Sequence, residues 1–141
     1  MNKTLDILNL LKAMAAYYHS AHLAAKFYSQ HLLFDRLAEK LHDEIDSLSE
    51  LAMALDIELV LAISGSLNAQ LDIFEGLIET SKATPGEVLK QALDLELAIV
   101  QNLNDGIKSA ENEGVKNALA GMAENHLRNV YLLKQSFKGV K

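Results

Sequence analysis

HLLFDRLAEKLHDEIDSLSE, residues 31–50, decides the fold of this chain. Its apolar members Leu33, Phe34, Leu37, Leu41, Ile45 and Leu48 recur every three or four residues and continue into Leu51, Ala52 and Leu55. That spacing predicts a helix over about 29–55 with one face against a core. At about 100° per residue, Arg36, Lys40, Asp43 and Ser47 fall in a second sector. His31, Asp35, Glu39, His42, Asp46 and Glu50 make a third sector of their own, within about 100° of arc. These six point away from their own subunit's core, where a di-metal centre inside one bundle would need its ligands.

Outward from this helix the pattern remains helical. Leu5, Ile7, Leu8, Leu11, Met14, Ala15, Tyr18 and Leu23 predict a first long helix from about residue 4 into the twenties. After Asp56 the pattern loosens: Ser64, Gly65 and Ser66 read as a loop, and NAQLDIFEGLIET, residues 68–80, resumes as a short helix. TPGE at 84–87 is a helix start, with Thr84 as N-cap, Pro85 in the first helical position and Glu87 placed to close a capping box. The third long helix is expected to reach about residue 112, where Gly114 interrupts ENEGVKN. The last carries Val115, Leu119, Met122, His126, Val130, Leu133 and Phe137. Four long helices with a crossover between the second and third are one route to an all-α, ferritin-like four-helix bundle.

Composition agrees. The 141 residues suit one domain spanning 1–141, large enough for a core without disulfides or a structural zinc. Half the residues are apolar, with one proline and seven glycines, which favours helix. With no cysteine, a thiolate metal site is excluded, a reducing cytoplasm is expected, and any metal must be held by His, Asp or Glu. The net charge of −6 opposes non-specific DNA binding, whose affinity comes mostly from cations neutralising phosphates. No signal peptide is expected from MNKTLDILNL. The longest apolar run, LVLAI at 59–63, is far short of the roughly 20 residues that span a bilayer, so no membrane partner is expected.

The ordinary explanation of the third sector of residues 31–50 is a solvated face. Two features weigh against it. Asp35 with Glu39, and Asp46 with Glu50, are like-charge pairs four residues apart, each costing about a few tenths of a kcal/mol that a bound cation would reverse. Imidazole with carboxylate also suits iron, zinc or manganese. One helix face cannot complete such a site, so further ligands must come from another helix or another copy of the chain. His19 and His22, near the end of the first helix, are candidates, although a histidine at a helix C-terminus is more often a cap or a surface residue.

The run His19, eleven residues, His31, three, Asp35, ten, Asp46, three, Glu50 resembles the ferroxidase signature of the Dps-type miniferritins without a gap. KFYSQHLLFDRLAEKLHDEIDSLSELA, residues 26–52, is similar to that family's second helix. The resemblance is specific over about 17–55. It implies a ferritin-like bundle with a short extra helix in the long crossover, assembled from two-fold dimers as a hollow dodecamer. It also implies iron sites shared between subunits: His19 and His31 from one chain, Asp46 and Glu50 from its partner, Asp35 assisting. Ferrous iron would be oxidised there, with hydrogen peroxide as the expected oxidant, and the ferric product stored inside; zinc or another divalent ion could substitute. Acidic Glu111 and Glu113 would line an iron pore if they follow the family, an acidic turn being the ordinary explanation.

The chain departs from that pattern in HSAHLAAKF, residues 19–27: Ser20 stands for the family's Trp and Ala24 for its Gly. Tyr17, Tyr18 or Tyr28 could replace the missing aromatic, and His22 could compete with His19 as ligand. Lys3, Lys134, Lys138 and Lys141 are too few terminal cations for appreciable DNA binding on an acidic protein. Two other readings stand beside the miniferritin. One is a Dps-like structural or metal-binding assembly without redox turnover. The other is an intrasubunit di-metal enzyme using Glu39, His42 and Glu96, disfavoured because the last helix offers ENHL at 124–127 instead of a second Glu-x-x-His.

Overall fold

A computed structural model describes residues 3–55 and 63–139. Among these residues the helices are α1 (Lys3–Ala24), α2 (Tyr28–Ala54), α3 (Ile63–Glu75), α4 (Pro85–Ser109) and α5 (Glu113–Lys138), with a 3-10 turn at Thr80–Lys82. No strand occurs among the described residues, and none of their helices is long and apolar enough to cross a membrane. The architecture is the all-α, ferritin-like four-helix bundle, with α3 as the extra helix of the crossover.

Connection length sets the pairing. Only residues 25–27 join α1 to α2, and only 110–112 join α4 to α5, so each pair must fold back as antiparallel neighbours. The two hairpins pack through α1 against α4 and α2 against α5. The crossover lays α3 and the 3-10 turn on the outside of α1. Covered on three sides, α1 buries an almost continuous run, Ile7, Leu8, Leu10, Leu11, Ala13, Met14, Ala15, Tyr17 and Tyr18. A helix surrounded in this way has little need of a polar stripe. Its buried Asn9 is satisfied from the crossover, where Gln70 donates through Nε2 to Asn9 Oδ1 at 3.3 Å.

The remaining core comes from one stripe per helix: Phe34, Leu37, Leu41 and Leu48 of α2, Leu89, Ala92, Ile99 and Leu103 of α4, and Leu119, Met122 and Leu133 of α5. Burying each large apolar side chain contributes about 1.5–3 kcal/mol. At Gly106 the helices approach closely, since a Cβ there would lie 3.0 Å from Ile7 Cδ1 and 3.1 Å from Leu119 Cδ1. The start of α4 follows the sequence reading in full: the Glu87 N–H donates to Thr84 Oγ1 at 3.1 Å and the Thr84 N–H to Glu87 Oε1 at 2.9 Å. Asn112 caps α5 by accepting from the Val115 N–H at 3.1 Å.

Three boundaries differ from the sequence reading. Ser64, Gly65 and Ser66 open α3 instead of forming a loop, because packing on α1 outweighs their weak helix propensity. That helix stops at Glu75, where the Gly76 and Leu77 N–H groups close a final tight turn on the Ile73 and Phe74 carbonyls, so residues 76–80 are not helical in the expected way. The third long helix ends at Ser109, three residues early, and Gly114 falls in the first turn of α5. The apolar run at 59–63 lies outside the described residues except for Ile63, as does Lys141.

Candidate metal centre

The histidines converge at the corner between α1 and α2. His31 Nδ1 lies 3.0 Å from the His22 carbonyl, and His22 Nδ1 lies 2.8 Å from the His31 carbonyl. A carbonyl only accepts, so each Nδ1 carries a proton and donates it, and in the neutral ring the lone pair is then on Nε2. The last carbonyls of a helix lack intrahelical donors, which is the need that His31 meets at His22. The two rings stack with centroids 3.8 Å apart. His19 flanks His22 at 6.1 Å and Tyr28 flanks His31 at 6.2 Å. A metal-ligating imidazole ordinarily has its second nitrogen held in this way by a carbonyl or carboxylate.

The predicted acids lie on the outer face of α2. Asp35, Glu39, His42, Asp46 and Glu50 are exposed and His31 is half-buried, as the three-sector reading requires. Asp35 is one turn from His31. Asp46 and Glu50 lie about 22 and 28 Å farther along the helix axis than His31, at a rise of about 1.5 Å per residue. One chain therefore cannot bring His31 and Glu50 to the same ion. Consistently, no three His, Asp or Glu side chains among the described residues are grouped so as to hold a metal. Glu39 and His42 are exposed whereas Glu96 is fully buried, so the structure does not assemble that intrasubunit triad.

Ser20 is committed to the crossover. Its Oγ donates to the Tyr17 carbonyl at 3.0 Å and lies 3.0 Å from Thr80 Oγ1. Tyr17 and Tyr18 are buried in the core, which leaves Tyr28 as the tyrosine beside the histidines. Helix α1 continues through Ala24, where the resemblance would have placed glycine.

A second polar group, which the sequence reading missed, occupies the bundle centre. His126 of α5 is fully buried, with Nδ1 2.6 Å from Glu96 Oε1 of α4 and Nε2 2.9 Å from Glu44 Oε1 of α2. Asn129 Nδ2 donates to Glu96 Oε1 at 3.2 Å, and the Tyr18 hydroxyl of α1 donates to Glu96 Oε2. The Glu44 contact is an ion-pair contact without hydrogen-bond alignment, leaving His126 Nε2 and Glu44 Oε2 with no hydrogen-bond partner. Burial opposes a charge on His126, but the adjoining Glu44 and Glu96 carboxylates outweigh it and raise the imidazole pKa to about 9. Burial, then the Glu96 charge, pushes the Tyr18 phenol well above its ordinary value.

The two imidazole nitrogens face different carboxylates, so the three side chains do not converge on one point. A protonated His126 itself offsets one of the two carboxylate charges. The signal was available in the register: Glu44 falls in the stripe of Leu37, Leu41 and Leu48, Glu96 in that of Ala92, Ile99 and Leu103, and His126 in that of Leu119, Met122 and Leu133. Charged residues at core positions are almost never buried unless paired, which makes three on three helices a prediction of contact.

Against known families, residues 1–130 match the model described as a ferritin-like domain. No curated protein and no solved structure matches the chain.

Proposed function

The chain belongs to the ferritin-like domain family, and from that membership we propose that it is a Dps-type miniferritin that binds, oxidises and stores iron and so removes peroxide. His19 and His31 of one subunit, with Asp46 and Glu50 of its partner and Asp35 assisting, receive ferrous iron as substrate. Two ferrous ions each give up one electron to hydrogen peroxide. The O–O bond breaks, and with two protons taken up the oxygens leave as two waters. The ferric product is stored inside a dodecamer built from such dimers.

One observation carries this reading. The His31 Nδ1–H is spent on the His22 carbonyl, which leaves Nε2 as the nitrogen free for a ligand, on a helix whose Asp46 and Glu50 lie too far along to reach it. His31 can meet Asp46 and Glu50 only between copies.

The test is subunit mixing. His31→Ala and Glu50→Ala particles should each lose ferric absorbance development with ferrous iron and peroxide. Unfolded and reassembled together, they should regain roughly a quarter of the wild-type rate, because half of the randomly formed two-fold dimers are mixed and each of these holds one intact site of two. Failure of the mixture to regain activity would exclude a shared site.

A further inference from the structure

A cleft opens at the end of the bundle where α1 turns into α2, α4 begins and α5 stops. Its volume of about 1230 Å³ exceeds the roughly 300–1,000 Å³ of most small-molecule sites. Apolar residues from four stretches of chain wall it: Phe27 of the link between α1 and α2, Ile78 of the crossover, Pro85 of α4 and Phe137 of α5. Phe27 and Phe137 are 54% and 42% exposed, so neither ring is used up by the core.

Gln30, in the first turn of α2, is the unusual member of this wall. It is only 5% exposed, it lines the cleft, and its side-chain amide makes no hydrogen bond among the described residues. Other buried amides of the chain are partnered: Asn9 accepts from Gln70, and Asn129 donates to Glu96. A shielded amide without a partner costs stability that an apolar side chain in the same place would not. Gln30 therefore holds an acceptor and two donors unused at the edge of a cleft. Gln135 of α5 lines the same cleft, and its amide too has no hydrogen bond among the described residues.

The charges around the cleft are already engaged. Glu87 accepts from the Thr84 N–H in the capping box, and Lys90 Nζ meets Asp94 at 2.6 Å. What remains for a ligand is neutral: two primary amides set among aromatic and aliphatic walls. A primary amide presents a donor and an acceptor side by side, and the adjacent N–H and C=O of a ring lactam answer both at once. Phenyl rings stack on the faces of such a ring or meet its edge.

We propose that this cleft binds an uncharged, planar aromatic ring with a lactam edge, the chemistry shared by flavin rings and oxo-nucleobases. Gln30 reads the lactam, and Phe27 and Phe137 hold the ring. The site uses none of His19, His31, Asp35, Asp46 and Glu50, so it stands whether or not iron is oxidised at those residues.

Riboflavin and guanosine, titrated separately into the native protein and followed by fluorescence or calorimetry, represent the two sources. One of them should bind saturably with a Kd tighter than about 1 mM. Methylating its lactam nitrogen, as in 3-methylriboflavin or 1-methylguanosine, should weaken binding at least about tenfold, because a buried acceptor then loses its donor. Gln30→Leu should weaken binding of the unmethylated ring to a similar extent and melt no lower than the native protein, since it gives up no hydrogen bond within the chain. Phe137→Ala, at an exposed position, should also weaken binding and decides the matter if Gln30→Leu does not fold. Failure of both probes to bind overturns the proposal and leaves the amide to water. Undiminished binding by Gln30→Leu, by Phe137→Ala or of the methylated ring overturns it as well.

Discussion

His126 Nδ1 lies 2.6 Å from Glu96 Oε1 at the centre of the bundle, where both side chains are wholly shielded from water. The pair joins α5 to α4, and through Glu44 and Tyr18 it reaches the other two long helices. A proton on His126 is therefore part of the fold. Its pKa of about 9 exceeds the ordinary 6.5, so the folded state binds the proton more tightly than the unfolded state. That contribution is fully present below pH 6.5 and is lost as pH rises through about 9; the shift corresponds to about 3 kcal/mol. Urea unfolding from pH 6 to pH 10 should show stability falling across this window, and His126→Gln should flatten the fall. An unchanged pH profile in that variant would assign the effect elsewhere. Tyr18, raised by burial and by Glu96, should add a further loss above pH 10.

Removing one member of the buried cluster should cost more than removing the cluster. Glu96→Ala leaves an imidazolium and a phenol without their acceptor, and should destabilise the fold by about 3–5 kcal/mol. His126→Leu with Glu96→Leu and Glu44→Leu replaces the charges by apolar surface and should recover most of that loss. Denaturant midpoints distinguish the two cases. A triple variant less stable than Glu96→Ala would show that the network stabilises by more than avoiding unpaired charge.

His31→Ala should reduce iron oxidation at least about tenfold while changing stability by less than about 1 kcal/mol, because the side chain is half-buried and lies outside the apolar stripe. Peroxide-dependent ferric absorbance and a thermal melt on one preparation check both parts. His22→Ala keeps the carbonyl that holds His31 Nδ1, since that acceptor is main chain. It should therefore retain more activity than His31→Ala; equal loss would make His22 itself a ligand.

Thr84→Ala removes the side-chain half of the capping box and should lower stability by about 1 kcal/mol, visible as a drop of a few degrees in the melting temperature. Thr84 lines a cleft with Phe27, Ser29 and Gln30 at this end of the bundle, but its side chain bonds Glu87 and no histidine, so iron oxidation per folded subunit should be unaltered. A kinetic change with no thermal change would contradict this assignment.

Much of this was legible without coordinates because the deciding information was local. The stripe of α2, the capping box at Thr84 and Glu87, and the separation of apolar from acidic sectors follow from helical periodicity and main-chain hydrogen-bonding needs within a few residues. The spacing from His19 to Glu50 is likewise fixed by the chain, and it carries the resemblance to a metal-binding family. Tertiary structure decided what periodicity cannot. It made Ser64–Ser66 the first turn of α3 through packing on α1, it bonded His22 and His31 across the corner, and it brought Glu44, Glu96 and His126 to one level of the core. Period fixes which way a side chain faces from its own axis. Which residues of other helices stand opposite depends on how the helices slide and rotate against one another, and that is set by the packing of the whole core.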